Sequence, residues 1–274
     1  MTSIPLYYFK RSLNKCNFGD ELNTVIPTKL FNAEIIHTSK AECEAIFIGS
    51  ILTSFLKHFK NQTTNTLNVW GTGFIQTPPL EASISRNLKV YAVRGKKTLK
   101  DLERVKQTKY MDVCFGDPGL LLSCCYKDLD FTKKYEYGII PHYVDQNTEY
   151  LKKIHLPNSI TIDIGNDVET IIKQIISCKY ILSSAMHGLI AADSFGIPNR
   201  RFIASYELMG GEYKFDDYYS AFDIISPEAI DLRKIKELNK VDFMYEVNKD
   251  KLLKIQDNLI RSFPYESKCS SSCI

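Results

Sequence analysis

The sequence of 274 residues is long enough for two domains of ordinary size, and its apolar and charged fractions, 44% and 24%, are typical of a globular protein. The net charge of +3 is small and basic residues alternate with acidic ones, which argues against a nucleic acid partner. No apolar run is long enough to span a bilayer, and the N-terminus lacks the charged start of a secretory signal, so we expect a cytoplasmic protein.

Short apolar runs alternate with amphipathic stretches along the chain, a pattern that favours an α/β fold with largely parallel sheets. In the first half the predicted strands are Ile4–Phe9, Ala45–Ile48, Leu67–Trp70, Val90–Val93 and Tyr110–Val113, and the predicted helices are Glu21–Phe31, Ile51–Phe59 and Lys97–Val105. In the second half the predicted strands are Glu136–Ile140, Ile160–Asp163, Tyr180–Leu182 and Arg201–Ile203, and the predicted helices are Tyr150–Ile154, Val168–Ser177 and Leu189–Phe195.

A charged segment without clear periodicity, Lys127–Lys134, separates the two halves. It predicts a Rossmann-like domain at residues 1–128 and a second at 129–274, with a cleft between them. Val241–Phe263 predicts one or two helices, which we expect to pack back across the first domain. The catalytic and ligand-binding residues of such folds lie on loops at the carboxyl ends of the strands.

The segment from Lys179 to Pro198 is the most informative part of the sequence. Tyr180 to Leu182 is a short apolar run typical of a buried strand, and Gly196 with Pro198 is a helix stop signal. The segment therefore predicts a strand, a tight loop and a helix with His187 at its N-terminus. Such a helix end favours anions, so His187 is either a catalytic group beside a bound anion or a helix residue bonded to its own loop.

Other chemistry-bearing residues also follow predicted strands, and each has a plain structural alternative. Asp20, in Asn17-Phe-Gly-Asp20, could bind hydroxyls or simply cap a helix. Arg94 projects from a strand end, where a guanidinium suits a carboxylate or phosphate, although most arginines are simply solvated. Trp70 could stack on a sugar ring, although filling the core is the more common role at such a place. His142 is a second, weaker acid–base or phosphate-binding candidate.

Two further segments combine polar groups with turn residues. Lys214 in Lys214-Phe-Asp-Asp-Tyr-Tyr219 follows a glycine pair and predicts a loop that either closes over an anionic substrate or is merely solvated. Asp117 lies in Gly116-Asp-Pro-Gly119, a rigid turn in which the carboxylate caps the backbone. The eight cysteines lack CxxC spacing, Cys269-Ser-Ser-Ser-Cys273 has no histidine nearby, and no cluster has metal-ligand spacing, so we expect free thiols and no metal. The glycine turns Ile48-Gly-Ser50 and Trp70-Gly-Thr-Gly73 are not GxGxxG fingerprints, so we expect no nicotinamide cofactor.

These segments together resemble the polysaccharide pyruvyl transferase family. The similarity runs in order over residues 14 to 222 and is most specific in the block Ser183-Ser-Ala-Met-His-Gly-Leu-Ile190. The other segments that carry it are Asn17-Phe-Gly-Asp20, Trp70-Gly-Thr-Gly73, Val93-Arg-Gly95, Gly116-Asp-Pro118, Gly196-Ile-Pro198 and Lys214-Phe-Asp-Asp-Tyr218.

The resemblance implies a GT-B-like fold of two Rossmann-like domains and transfer of the enolpyruvyl group of phosphoenolpyruvate onto two hydroxyls of one sugar. The product would be a cyclic pyruvate ketal with free phosphate. It implies that His187 is the general acid–base and that Arg94 binds phosphoenolpyruvate, a co-substrate rather than a cofactor. The predicted donor site comprises Arg94, Ser184, Gly188, Lys214 and His142, and the predicted acceptor site comprises Asn17, Asp20 and Trp70.

One position departs from the family pattern. Many members carry an arginine two positions before the histidine, where this chain has Ala185. The substitutes we consider are Lys214, Arg200 and Arg201, and we favour Lys214 because it lies in the matching segment.

Two rival functions share this pattern. A GT-B-type glycosyltransferase would use a nucleotide sugar, and a non-catalytic sugar-binding protein would retain the fold without turnover. A role in a bacterial surface polysaccharide or its lipid-linked precursor would place the protein at the inner face of the membrane, as a peripheral protein without an anchor.

Overall fold

Six parallel strands form the first sheet, in the order β2-β1-β3-β4-β5-β6. The computed structural model describes residues 2–10, 17–56, 65–207 and 209–266. The strands of this sheet are β1 Thr2–Leu6, β2 Ala33–His37, β3 Ala45–Ile46, β4 Leu67–Trp70, β5 Leu88–Val93 and β6 Cys114–Phe115.

Five more strands, all in parallel pairs, form a second sheet from the second half of the chain, in the order β11-β10-β9-β7-β8. Its strands are β7 Tyr135–Ile140, β8 Ser159–Thr161, β9 Cys178–Ser183, β10 Asn199–Ile203 and β11 Ile230–Asp231. The two parallel sheets confirm the α/β class and are consistent with a Rossmann-like fold. The predicted boundary segment 127–134 lies between the last strand of one sheet and the first of the other, and the division at residue 128 stays a prediction.

Helices lie between many of the strands and after the last one. They are α1 Phe18–Phe31, α2 Lys96–Lys106, α3 Leu122–Cys125, α4 Val168–Ile176, α5 Met186–Ser194, α6 Tyr213–Ser220 and α7 Lys249–Arg261. Three short 3₁₀ helices cover Ile51–Phe55, Pro118–Leu121 and Glu149–Lys153. No helix among the described residues is both long and apolar enough to cross a membrane.

Several predicted elements differ from the observed ones. Residues 110–113 are not a strand, because β6 begins only at Cys114. The predicted helix Ile51–Phe59 is a 3₁₀ helix that ends at Phe55, and residues 57–59 lie outside the described part of the chain. Tyr150–Ile154 is likewise a 3₁₀ turn. The predicted loop around Lys214 is helix α6, and only α7 occupies Val241–Phe263.

The last helix packs against the first sheet. The Trp70 indole donates to the Leu259 carbonyl at 3.1 Å, and Gln256 donates to the Leu120 carbonyl at 2.7 Å. The ring of Phe263 is stacked on Phe31 with centroids 3.8 Å apart. One apolar cluster of buried residues therefore runs from the strands of the first half through α1 and α5 to α7.

The buried thiols that the structure describes are inert by environment. Burial raises the pKa of Cys43, and it raises the pKa of Cys178 to about 11. Cys16, Cys269 and Cys273 lie outside the described residues. No group of three or more His, Cys, Asp or Glu side chains within the described ranges could hold a metal ion.

Candidate active site

A cavity of about 350 Å³ lies where strand ends of both sheets meet. From the first half it is lined by Asn17–Asp20, at the start of α1, and by Gly49–Ile51, after β3. From the second half it is lined by His142, after β7, and by residues 185–188, after β9. The carboxyl ends of parallel strands are the usual place for ligands in α/β proteins.

The N-terminus of α5 forms one wall of this cavity. The helix begins at Met186, three residues earlier than predicted, so that His187 lies in its first turn. The N-cap residue Ala185 has no side chain that could bond to the first backbone N–H groups. Because these N–H groups carry partial positive charge and point out of the helix, this wall favours an anion.

The His187 ring is held between two parts of the first half. Its side chain is 18% exposed, and its Nε2 lies 3.7 Å from Oδ2 of the buried Asp117. On the other side, a Cβ built on Gly19 would lie 2.0 Å from His187 Nδ1. Only glycine at position 19 allows the ring this close to the start of α1.

The start of α1 is fixed by its own polar contacts. Asn17 Nδ2 donates to Asp20 Oδ2 at 2.6 Å, and the Asn17 carbonyl accepts from the N–H groups of Asp20 and Glu21. Buried Asn23 exchanges hydrogen bonds with the backbone of Ile48, which ties α1 to the loop after β3. Asn17 and Asp20 both line the cavity, so two of the three predicted acceptor residues face the same space as His187.

Lys214 contributes an amine to the lining of the cavity. It lies in the first turn of α6 with 8% of its surface exposed. No hydrogen bond or ion pair joins its Nζ to another described residue, and its ring contact is with Phe215 at 5.3 Å. Burial, together with the charges of Arg94 and Arg201, lowers its pKa to about 7, against an opposing effect of Asp145. An anion in the cavity would further favour the charged form of this amine.

Arg94 differs from the expectation that it contacts the donor. Its side chain is fully buried behind the cavity wall, where Nε is 2.8 Å from Asp217 Oδ2 and Nη1 donates to Ser50 Oγ at 3.0 Å. Its Nη2 donates to the Phe74 carbonyl. With every nitrogen bonded, the guanidinium in this conformation reaches the cavity only through Ser50, which lines it.

Ser184 also acts from behind the wall. Its Oγ donates to Asp145 Oδ2 at 2.5 Å and accepts from the backbone N–H of His142 at 2.8 Å. It therefore holds the start of the loop that brings His142 into the cavity. Gly188 lines the cavity directly, and a Cβ at that position would lie 2.4 Å from Ser183 Oγ.

Comparison with known proteins identifies the family of this chain. The family model of the polysaccharide pyruvyl transferases matches residues 4–205. The chain belongs to the polysaccharide pyruvyl transferase family. It is also similar to the "Uncharacterized protein L143" of Acanthamoeba polyphaga mimivirus, with 35% identity over 235 residues that cover 81% of this chain and 75% of the viral protein.

Membership of the polysaccharide pyruvyl transferase family supports a transferase that acts on a polysaccharide or sugar acceptor. The matched range contains both helix N-termini of the cavity and His142. Lys214 lies beyond it, on α6, and completes the same cavity.

Trp70 does not lie where a residue of the acceptor site of this transferase was expected. Its side chain is completely buried, edge-on to Phe31, Phe47 and Phe263, and its indole N–H is bonded to the Leu259 carbonyl. It does not line the cavity. The alternative weighed from the sequence, a core residue at a strand end, describes its position.

The three substitutes for an arginine at Ala185 occupy different places. Lys214 and Ala185 line the same cavity. Arg200 is bonded to the carbonyls of Glu228 and Phe243, and Arg201 is paired with Glu212. Among these three cations, the geometry therefore favours Lys214 as the one that reaches a ligand.

The partners that hold these groups are not evident from the sequence. The sequence predicts a turn cap at Asp117, and this carboxylate does accept from the Gly119 N–H at 2.9 Å. Its second oxygen faces His187, a contact that no spacing in the sequence indicates. Asp217, which binds Arg94 and Thr98, and Asp145, which binds Ser184, were likewise not singled out.

Proposed function

We propose that this chain transfers the enolpyruvyl unit of phosphoenolpyruvate to two hydroxyls of one sugar and so forms a cyclic pyruvate ketal. The observation that carries the proposal is the common cavity of His187, Lys214 and the N-termini of α1 and α5. These groups combine an acid–base side chain with cationic surroundings, which suits a small donor that carries a phosphate and a carboxylate.

In the proposed reaction a proton adds to the methylene carbon of the donor and makes its second carbon electrophilic. The first sugar hydroxyl bonds to that carbon, the carbon–oxygen bond to phosphate breaks, and the second hydroxyl closes the ketal. Of the two hydroxyl protons, one balances the new methyl group and one leaves with phosphate. His187 transfers protons, while Lys214 and the helix N-termini stabilise the departing phosphate.

The sugar acceptor is proposed to bind against the start of α1. Asn17 and Asp20 supply polar atoms for sugar hydroxyls, and the rings of Phe9, Phe18 and Tyr143 line the cavity as apolar surfaces.

The proposed acceptor is a surface polysaccharide or its lipid-linked precursor. The proposed location of the enzyme is the cytoplasm, at the inner face of the membrane. The cavity between strand ends of two parallel sheets supports, as part of the same proposal, a two-lobed GT-B-like arrangement.

The test is incubation with phosphoenolpyruvate and a panel of synthetic and lipid-linked glycosides. We expect phosphate release together with an acceptor mass increase of one pyruvyl group, and both should be lost in His187→Ala. The exposed His155→Ala is the matched control and should retain activity. Turnover of a nucleotide sugar without any use of phosphoenolpyruvate would instead identify a glycosyltransferase. Sugar binding that is unchanged in His187→Ala, with no turnover in the wild type, would indicate a binding protein.

A further inference from the structure

Asp117 carries a buried carboxylate oxygen that its turn does not use. The residue follows β6 and is completely buried. Its Oδ1 accepts from the Gly119 N–H at 2.9 Å, which is the capping role expected of this turn. Its Oδ2 has no hydrogen-bond partner among the described residues. A buried acceptor left without a donor is unfavourable, so the position of this oxygen calls for an explanation.

The imidazole of His187 lies beside this oxygen. The distance from Asp117 Oδ2 to His187 Nε2 is 3.7 Å, within the range of an ion pair but too long for a hydrogen bond. Nε2 is itself buried and has no hydrogen-bond partner among the described residues. Two unsatisfied polar atoms, one an acceptor and the other able to donate, therefore face each other.

The other ring nitrogen of His187 has different surroundings. Nδ1 lies against the Gly19 backbone at the start of α1, which lines the cavity. Because Nε2 is buried towards Asp117, Nδ1 is the nitrogen through which the ring can exchange a proton with a ligand. The roles of the two nitrogens are thus separated by the fold.

We propose that Asp117 is a positioning residue, which accepts a hydrogen bond from Nε2–H of His187 and leaves Nδ1 as the nitrogen that transfers the proton. The role of Nδ1 in turnover rests on the proposed function, whereas the tautomer does not. When Nδ1 takes a proton from an acceptor hydroxyl, the bonding pair of that O–H stays on oxygen and forms the new bond to the donor carbon. The imidazolium that results is stabilised by the facing carboxylate.

The substitution Asp117→Asn distinguishes the orientation of His187 from the capping of the turn. The amide keeps an oxygen that can accept from Gly119 N–H, while an NH₂ group replaces the oxygen that faces Nε2. An NH₂ group cannot accept from Nε2–H, so the favoured tautomer becomes the one with the proton on Nδ1. Asp163→Asn is the matched control, because Asp163 Oδ1 accepts from Gly165 N–H at 2.8 Å in the same kind of turn and has no contact with His187.

The deciding measurement is a two-bond ¹H–¹⁵N correlation spectrum of protein labelled with ¹⁵N-histidine, recorded at about pH 9. His187 is identified by the signals lost in His187→Gln. We expect the Nε2–H tautomer in the wild type and in Asp163→Asn, and the Nδ1–H tautomer in Asp117→Asn. An Nδ1–H tautomer in the wild type would overturn the proposal even if Asp117→Asn did not fold.

The tautomer does not depend on any substrate, so it tests Asp117 independently of the proposed reaction. If the protein does use phosphoenolpyruvate, kcat of Asp117→Asn should fall by about 10²–10⁴-fold with little change in KM, as for other acid–base histidines that lose their orienting carboxylate. Equal kcat values for Asp117→Asn and Asp163→Asn would show that Asp117 only caps its turn, and would contradict the proposal.

Discussion

Gly19 and His187 are in such close contact that any side chain at position 19 would occupy the space of the imidazole. The ideal Cβ position lies 2.0 Å from Nδ1 and 2.6 Å from Cε1. The first turn of one helix thus determines where the ring of the other can lie, and the two helices come from different halves of the chain.

Gly19→Ala is therefore expected to displace the His187 ring rather than to unfold the protein. A displacement of about 1 Å at a reacting group can cost about 10²-fold in rate, so kcat should fall by at least that factor while the melting temperature changes little. Gly165→Ala is the control, since its Cβ would approach only the Asp163 side chain on an exposed loop. Unchanged kcat in Gly19→Ala would mean that the ring position is irrelevant to turnover.

The buried ammonium of Lys214 should make stability depend on pH. Its pKa is about 7 in the folded protein and 10.5 when unperturbed, so between these values the unfolded chain binds more protons and stability rises with pH. Compared with Lys214→Met, the wild type should be less stable at pH 7 and should recover by up to about 1.4 kcal/mol per pH unit towards pH 10. Urea unfolding at several pH values measures the difference, with the exposed Lys100→Met as the control for loss of a lysine. If the free energy of unfolding depended on pH in the same way in the wild type and in Lys214→Met, the lowered pKa of Lys214 would be contradicted.

The same lysine should link donor binding to proton uptake. An anion beside Lys214 favours its charged form, so phosphoenolpyruvate should bind with uptake of a proton at about pH 8, where much of the free enzyme carries a neutral amine. Calorimetry in buffers of different ionisation enthalpy detects the proton, and Lys214→Met should abolish the uptake. Uptake that persists in this variant would assign the proton to another group.

Arg94 and Asp217 form a buried ion pair between the end of β5 and α6. Arg94→Met leaves the carboxylate buried without its cation and should cost about 3–5 kcal/mol in urea unfolding. Asp217→Asn in the same background should restore much of that loss, because no unpaired charge remains. The double variant should still bind phosphoenolpyruvate if Arg94 only supports Ser50. Loss of binding despite restored stability would show that Arg94 contacts the donor.

Trp70 should affect stability and not acceptor use. Trp70→Phe removes the N–H that bonds to the Leu259 carbonyl and leaves a gap among three phenylalanine rings, so a loss of about 2–4 kcal/mol is expected. The KM for an acceptor should stay unchanged. Circular dichroism in urea gives the first quantity and steady-state kinetics the second, and a raised KM at unchanged stability would restore Trp70 to the acceptor site.

The sequence was sufficient where local signals act alone. The apolar run before Ser183 and the glycine after the helix predicted the strand–loop–helix that carries His187, because strand burial and helix ends are local properties. The segment of Lys214 was mispredicted as a loop, since its glycine pair and polar residues outweigh the apolar face that α6 buries with Phe215 and Tyr218. That face stabilises the helix only when it packs on elements that are distant in the sequence.

Contacts between distant segments account for the rest. Asp117 and His187 are 70 positions apart, and Arg94 and Asp217 are 123 apart, so no periodicity within one segment indicates either pair. For an arginine or a tryptophan at the end of a strand, the sequence does not show whether the side chain lines a cavity or is buried behind its wall. The burial of each side chain decides between these two positions, and the residue type predicts only the average burial for that type.

The packing of α7 on the first sheet has a consequence for synthesis on the ribosome. Trp70 and Leu120 find their partners on a helix that leaves the ribosome more than a hundred residues later. Until then the early strands expose an unsatisfied indole and an apolar surface, so the first half cannot reach its final packing while the chain is growing. Folding of this protein must therefore be completed after most of the chain has emerged, although the residues of its earliest sheet are translated first.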